Sequence, residues 1–164
     1  AIYQAVRYNK PLTHKIVTVT GSTVANHKNI IAPIGTPISL LLKAANCNIE
    51  ETEKIILGGP MMGKAVRGDD TPVTKSVSGI LTFNKQEAEK QTPTNCIRCA
   101  KCVSVCPMGL SPWLLSCYTE TGMFAQSLKE GIRNCIECGS CAYICPSFRP
   151  LLDNIRLGKL KTAN

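Results

Sequence analysis

Aromatic residues are scarce in this chain, at 5%, with a single tryptophan and three phenylalanines. Bulky rings therefore cannot consolidate both halves of the chain, and any region thin in aliphatic residues needs another source of cohesion. Long hydrophobic runs are missing as well. Even Ile38 to Leu42 is interrupted by Ser39, and nothing approaches the roughly 20 apolar residues that cross a bilayer as a helix. Histidine is limited to His14 and His27, neither with a carboxylate or cysteine at ligand spacing, so both read as surface or turn residues. The first residues, Ala1-Ile2-Tyr3-Gln4, include no initiator methionine and no signal-peptide pattern, which leads us to expect a piece of a longer chain. Lysine and arginine give a formal charge of +8 but form no dense block, so nucleic acid is not an expected partner.

Cysteine is what the chain has instead, ten residues in 164. Eight of them fall in two phrases of identical spacing. Cys96-Ile-Arg-Cys99-Ala-Lys-Cys102-Val-Ser-Val-Cys106-Pro107 is matched by Cys135-Ile-Glu-Cys138-Gly-Ser-Cys141-Ala-Tyr-Ile-Cys145-Pro146. Each reads C-x2-C-x2-C-x3-C-P, the bacterial run that wraps an iron–sulfur cube. Three closely spaced cysteines on one loop reach three corners of a cube, and the fourth thiolate must arrive from elsewhere. In two-cluster ferredoxins the fourth cysteine of each run serves the other cluster. Applied here, one 4Fe-4S cluster takes Cys96, Cys99, Cys102 and Cys145, and the second takes Cys135, Cys138, Cys141 and Cys106. Four disulfides or two zinc sites are the alternatives, but neither accounts for a triple run followed by cysteine and proline, stated twice.

The remaining cysteines, Cys47 and Cys117, read as buried structural thiols. The two cluster loops differ in charge: Arg98 and Lys101 lie in the first, whereas Glu137 and Ser140 hold the matching places in the second. Positive charge stabilises a reduced cluster, so the sequence predicts the higher potential for the cluster on Cys96, Cys99 and Cys102.

The polar stretch Asn84 to Asn95 divides the chain. Upstream, Ile2 to Tyr8 reads as a helix end, Lys15 to Thr20 and Asn29 to Ala32 as a hairpin, and Ile38 to Asn46 as a helix. That helix is expected to be capped by Thr36, with Pro37 in its first turn. Lys54 to Leu57 and Ser78 to Phe83 complete a small α+β sheet with one helix laid on it. Gly58-Gly59-Pro60-Met61-Met62-Gly63 lacks the residues of a phosphate loop and reads as a sharp turn over two packed methionines. Downstream, Ser111-Pro112 opens a helix with Trp113, Leu114 and Cys117 on one face, Gly122 ends it, and Met123 to Arg133 forms another. Pro150 opens the last, with Leu151, Leu152 and Ile155 on one side and Arg156 near its end. No nucleophile, general base or oxyanion donor set stands out.

Several segments together carry a family resemblance. Ile56-Leu-Gly-Gly-Pro-Met-Met-Gly63, Ser78 to Phe83, Asn95-Cys-Ile-Arg-Cys99, Cys135 to Cys141, Pro150-Leu151 and Ile155-Arg-Leu-Gly-Lys159 resemble the C-terminal part of the RnfC family, a component of the Rnf electron-transport complex. The resemblance implies residues 1–11 as the tail helix of an upstream flavin-binding domain and 12–84 as a β-grasp, soluble-ligand-binding domain. It further implies 85–94 as a linker and 95–164 as a helical ferredoxin-type domain with two 4Fe-4S clusters. FMN and NAD would belong to the upstream domain. The expected setting is a membrane-bound complex that exchanges electrons between ferredoxin and NAD and moves Na⁺ or H⁺. This segment would sit peripherally on the cytoplasmic side of the bacterial inner membrane, with the other Rnf proteins, and ferredoxin, as partners. The cobalamin reductase of bacterial microcompartments has a related domain order, and a binding module merely braced by clusters is the further alternative.

Overall fold

Alternation of β-branched residues in Lys15-Ile-Val-Thr-Val-Thr20 makes strand β1 (His14–Gly21), which buries Val17 and Val19 on one face. In the computed structural model, which describes residues 1–89 and 91–163, contacts divide the chain into two compact units, Ala1–Glu89 and Lys90–Asn164. The first begins with helix α1 (Ile2–Tyr8), closed by Asn9 in the left-handed conformation and burying none of its residues. Strand β1 then pairs antiparallel with β2 (Lys28–Pro33), with Val17 opposite Ile30. Helix α2 (Ile38–Ala44) follows, then β3 (Lys54–Leu57), β4 (Lys64–Val66) and β5 (Gly79–Phe83). The sheet order is β2-β1-β5-β3-β4. β5 lies between β1, to which it is parallel, and β3, to which it is antiparallel. The short helix α3 (Lys85–Ala88) ends the unit, its first turn capped by Asn84, whose side chain accepts the Glu87 N–H at 3.0 Å.

The core of this unit is aliphatic. Ile38, Leu41 and Leu42 of α2 pack with Val17, Val19, Ala32, Ile55, Val73, Val77 and Ile80. Thr82 is also fully buried, and its hydroxyl accepts from Thr23, which in turn meets Thr52, each at 2.8 Å. These buried hydroxyls are thus satisfied. Cys47 is half-buried beside the same core, 3.6 Å from the Thr23 and Thr52 hydroxyls.

Three expectations change here. Strand β4 escapes a sequence reading because it is three residues long, begins with Lys64 and is largely exposed. Thr36 does not cap α2; its hydroxyl donates to Pro33 O at 2.8 Å. The first free amides of α2 are satisfied by the chain before Pro72 instead, Ile38 N–H by Thr71 O and Ser39 N–H by Asp69 O. Met61 and Met62 are exposed rather than packed beneath the glycine turn. The turn itself needs Gly63, where a Cβ would stand 2.4 Å from the Ile56 side chain and 2.5 Å from Gly59 O.

The second unit has no strands among its described residues. Helix α4 (Lys101–Ser104) grows from the first cysteine run, followed by α5 (Pro112–Glu120), α6 (Phe124–Lys129), a 3-10 turn (Ile132–Asn134), α7 (Ser140–Tyr143) and α8 (Leu151–Lys161). Its apolar core is small: Leu115, Ile132 and Ile155, with Leu110 and Cys135 packed against them. Gly158 lets α8 close on α5, since a Cβ there would meet Thr119 Oγ1 at 2.4 Å and Ile132 Cδ1 at 2.6 Å.

The helix registers also shift from expectation. α5 buries Pro112, Leu115, Ser116 and Thr119, while Trp113 and Cys117 are exposed, so Cys117 is not a buried structural thiol. The reason is that Ser116 and Thr119, polar in sequence, find partners inside: Thr119 donates to Leu115 O at 3.0 Å and Asn154 donates to Ser116 at 2.8 Å. The predicted helix from Met123 to Arg133 breaks at Gly131, whose φ of 75° separates α6 from the 3-10 turn. Arg156 lies mid-helix, because α8 continues to Lys161.

Candidate metal centre

The two cysteine phrases fold as the same backbone twice. Arg98 and Glu137, at equal places in the runs, have φ of 56° and 57°, and Ala100 and Gly139 two residues later are left-handed as well. Each phrase then makes the same ladder: Val103 N–H to Ala100 O and Ser104 N–H to Ala100 O in the first, Ala142 N–H and Tyr143 N–H to Gly139 O in the second. Gly109 and Phe148, each three residues past the last cysteine, are again left-handed and bond back to Cys106 O and Cys145 O. Non-glycine residues rarely adopt positive φ, so such a repeated set marks a backbone held to a task.

The result is two cavities, each ringed by four thiols. The first, about 170 Å³, is lined by Cys96, Cys99 and Cys102 together with Cys145 from the other run. Ile97, Trp113 and Leu151 are on its wall, as are Arg98 and Arg149. The second, about 20 Å³, is lined by Cys135, Cys138 and Cys141 together with Cys106, and is closed by Leu110, Pro112, Leu115, Ile136 and Ile155. Cys96 and Cys99 are exposed, whereas Cys141 is buried. Among the described residues, no three or more Cys, His, Asp or Glu side chains gather around a point suited to a single ion.

Local electrostatics are set by burial and by nearby N–H groups. Burial pushes the Cys141 thiol up to about 11, and neighbouring cysteines add to the rise. Burial also raises Cys102, against the lowering influence of the Trp113 amide. Cys138 is lowered, first by the Ser140 hydroxyl, 3.5 Å from its sulfur, and then by the Ser140 amide. Backbone amides reach two more sulfurs: Leu110 N–H donates to Cys106 Sγ and Glu137 N–H to Cys135 Sγ, both at 3.4 Å. Burial favours the protonated thiol, so a metal held by Cys141 or Cys102 would have to displace that proton. Soft thiols, apolar walls and amide donors aimed at sulfur are a donor set that fits iron–sulfur clusters.

The comparisons with known proteins agree with this chemistry. Residues 88–146 match the 4Fe-4S dicluster domain family. The chain is 40% identical over 161 residues to the C subunit of the ion-translocating oxidoreductase complex of Rhodobacter capsulatus, covering 98% of this chain and 31% of that protein. It is 42% identical over its full length to the protein of the same name from Methanosarcina acetivorans, covering 36% of that protein. The C subunit of the Na⁺-translocating ferredoxin:NAD⁺ oxidoreductase complex of Acetobacterium woodii is 42% identical over 149 residues, 91% of this chain and 34% of the relative. The chain is homologous to part of RnfC. It spans about a third of the length of these curated Rnf relatives. Among the described residues, no helix is long and apolar enough to cross a membrane.

Sequence reasoning about the site missed what lies outside the runs. Arg149 makes a two-pronged pair with Glu120, at 2.6 and 2.7 Å, and Asn154 donates to the same carboxylate. These bonds tie α5 to α8 and to the segment after Cys145. Glu137, read as the negative member of the second loop, is bonded by Lys159 at 2.7 Å and by Arg156 at 3.1 Å. Lys159, together with Arg156, holds its carboxyl below the ordinary carboxylate range, against a smaller opposing effect of burial. The Glu137 charge in the second turn of this Rnf homologue is therefore met by two cations, which narrows the contrast with Arg98 and Lys101 of the first run on which the predicted difference in potential rests. The signal was available only as basic residues at helical spacing in α8, with nothing in sequence to name their partner.

Proposed function

We propose that this chain is the electron-relay segment of an Rnf-type, ion-translocating ferredoxin:NAD oxidoreductase complex. It holds two 4Fe-4S clusters, one on Cys96, Cys99, Cys102 and Cys145, the other on Cys135, Cys138, Cys141 and Cys106. The observation that carries the assignment is the grouping of thiols: each cavity takes three cysteines from one run and the fourth from the other. When bound, clusters of this type accept and return single electrons.

The residues have separable tasks. Eight thiolates anchor the two groups, and the left-handed turns at Arg98, Ala100, Glu137 and Gly139 bring three of them onto each loop. The Leu110 and Glu137 amides place positive charge density on Cys106 and Cys135, which favours the reduced state. The walls of Leu110, Leu115 and Ile155 keep water from the second group.

The activity is that of the complex, and this segment contributes electron transfer alone. Its partners are the other Rnf proteins, with ferredoxin as a redox partner, and its place is peripheral, on the cytoplasmic side of the inner membrane. FMN and NAD belong to a domain ahead of this one, of which α1 is the tail helix. Residues 12–84 form a β-grasp domain, a reading supported by the sheet order β2-β1-β5-β3-β4, its parallel central pair and the helix packed across one face. Residues 85–94, of which Lys90 lies outside the described residues, form the linker to the ferredoxin-type domain.

Anaerobic reconstitution of the whole chain tests the assignment. About eight irons per chain are expected, with two interacting cubic signals in EPR of the reduced protein. Cys145→Ala should impair the cluster on Cys96, Cys99 and Cys102, and Cys106→Ala the cluster on Cys135, Cys138 and Cys141. An iron count unchanged in both variants would overturn the ligand sets.

A further inference from the structure

Helix α8 lies outside the matched dicluster segment, which ends at Pro146, yet it reaches the second cysteine turn with two cations. We propose that Arg156 and Lys159 are positioning residues for the second cluster: they hold the Cys135–Cys138 turn and keep it net positive in spite of Glu137. The proposal rests on the reading of Cys135, Cys138 and Cys141 as cluster ligands.

The repeated backbone frames the argument. Glu137 occupies the place that Arg98 holds in the first run, with the same left-handed φ. Among the described residues no carboxylate pairs with Arg98, so the first turn presents a bare cation. A carboxylate at that place in the second turn would face a group whose thiolates and core carry net negative charge, and repulsion would oppose reduction. The fold answers from 19 and 22 residues away, Arg156 Nε on one oxygen of Glu137 at 3.1 Å and Lys159 Nζ on the other at 2.7 Å. Lys159 Nζ also donates to Cys135 O at 2.9 Å, while the Glu137 amide donates to Cys135 Sγ. One ammonium thus grips the segment at its cysteine carbonyl and at its acidic side chain, and leaves the Glu137 N–H aimed at sulfur. Asp153, 3.9 Å from Arg156 and well exposed, offsets little of this charge.

Charge counting around the turn then makes the test specific. Lys159→Met leaves one cation against Glu137 and a neutral turn; Glu137→Gln with Lys159→Met restores the single net positive charge. In EPR-monitored redox titrations of the reconstituted whole chain, Lys159→Met should weaken reduction of one cluster about threefold to tenfold, a tenfold change being about 59 mV for one electron. The other midpoint should stay where it was. The double variant should regain most of the shift, and Lys159→Arg should keep the wild-type midpoints. If Lys159→Met fails to load the second cluster, the double variant should load it. Two unmoved midpoints in an iron-replete Lys159→Met protein would overturn the inference and leave the cluster reading intact, as would a double variant as impaired as the single one. A wild-type chain that takes up no iron overturns the cluster reading and this inference with it.

Discussion

The two units of this chain reach stability by different means. In residues 1–89, α2 lies on a five-stranded sheet and seals a continuous aliphatic core. In residues 90–164, Leu115, Ile132 and Ile155 form a smaller buried cluster among the described residues, with Leu151 and Leu152 also buried, and eight cysteines stand around two cavities. Burial of apolar area stabilises at about 25 cal/mol per Å², so the first unit can hold itself together and the second is short of such area. The difference teaches where each unit is vulnerable: one through its packing, the other through its ligands. The aliphatic helix-on-sheet core of the first unit is built without aromatic residues.

Removing iron from the holo-protein should break the comparison most sharply. If the second unit folds around the proposed clusters, chelation is expected to abolish amide-exchange protection through α4 to α8 while β1 to β5 keep theirs. Equal loss of protection in both units would show that the sheet depends on the clusters too. Leu42→Ala probes the opposite case. It removes a fully buried side chain from the first core and should cost about 2–5 kcal/mol in the unfolding of that unit, with iron content unchanged. Gly158→Ala is a smaller perturbation, placed where α8 meets Thr119 and Ile132. A destabilisation of about 1–3 kcal/mol, seen as faster exchange in α5 and α8 alone, is expected from overpacking, more than the helix-propensity gain of alanine returns. A neutral or stabilised variant would mean that the two helices can part without loss.

Legibility follows the range of the interactions. The strands β1, β2, β3 and β5 are readable because alternation is local, and the cysteine runs because three cysteines lining one cavity lie within seven residues of sequence. Strand β4 is not, since Lys64, Ala65 and Val66 carry no alternation, only Val66 is partly buried, and its partner β3 supplies the pairing. The cap of α2 is misplaced for a similar reason: Thr36 has the right chemistry, but Thr71 and Asp69 bring backbone carbonyls to the amides first. Trp113 and Cys117 look like a buried face because hydrophobicity ranks them above Ser116 and Thr119. Buried hydrogen-bond partners for those hydroxyls reverse the ranking.

What the sequence determined by itself is the chemistry on offer: eight thiols in two equal phrases, each placing three of them on one loop by spacing alone. What only the tertiary structure decided is the company those loops keep. The approach of Cys145 and Cys106 to the opposite cavities, the closure of α8 on α5 through Gly158, and the capture of Glu137 by Arg156 and Lys159 all join residues far apart in sequence. Spacing along a chain fixes which donors share a loop, whereas charge and burial depend on distances in space, and those exist only once the helices have packed.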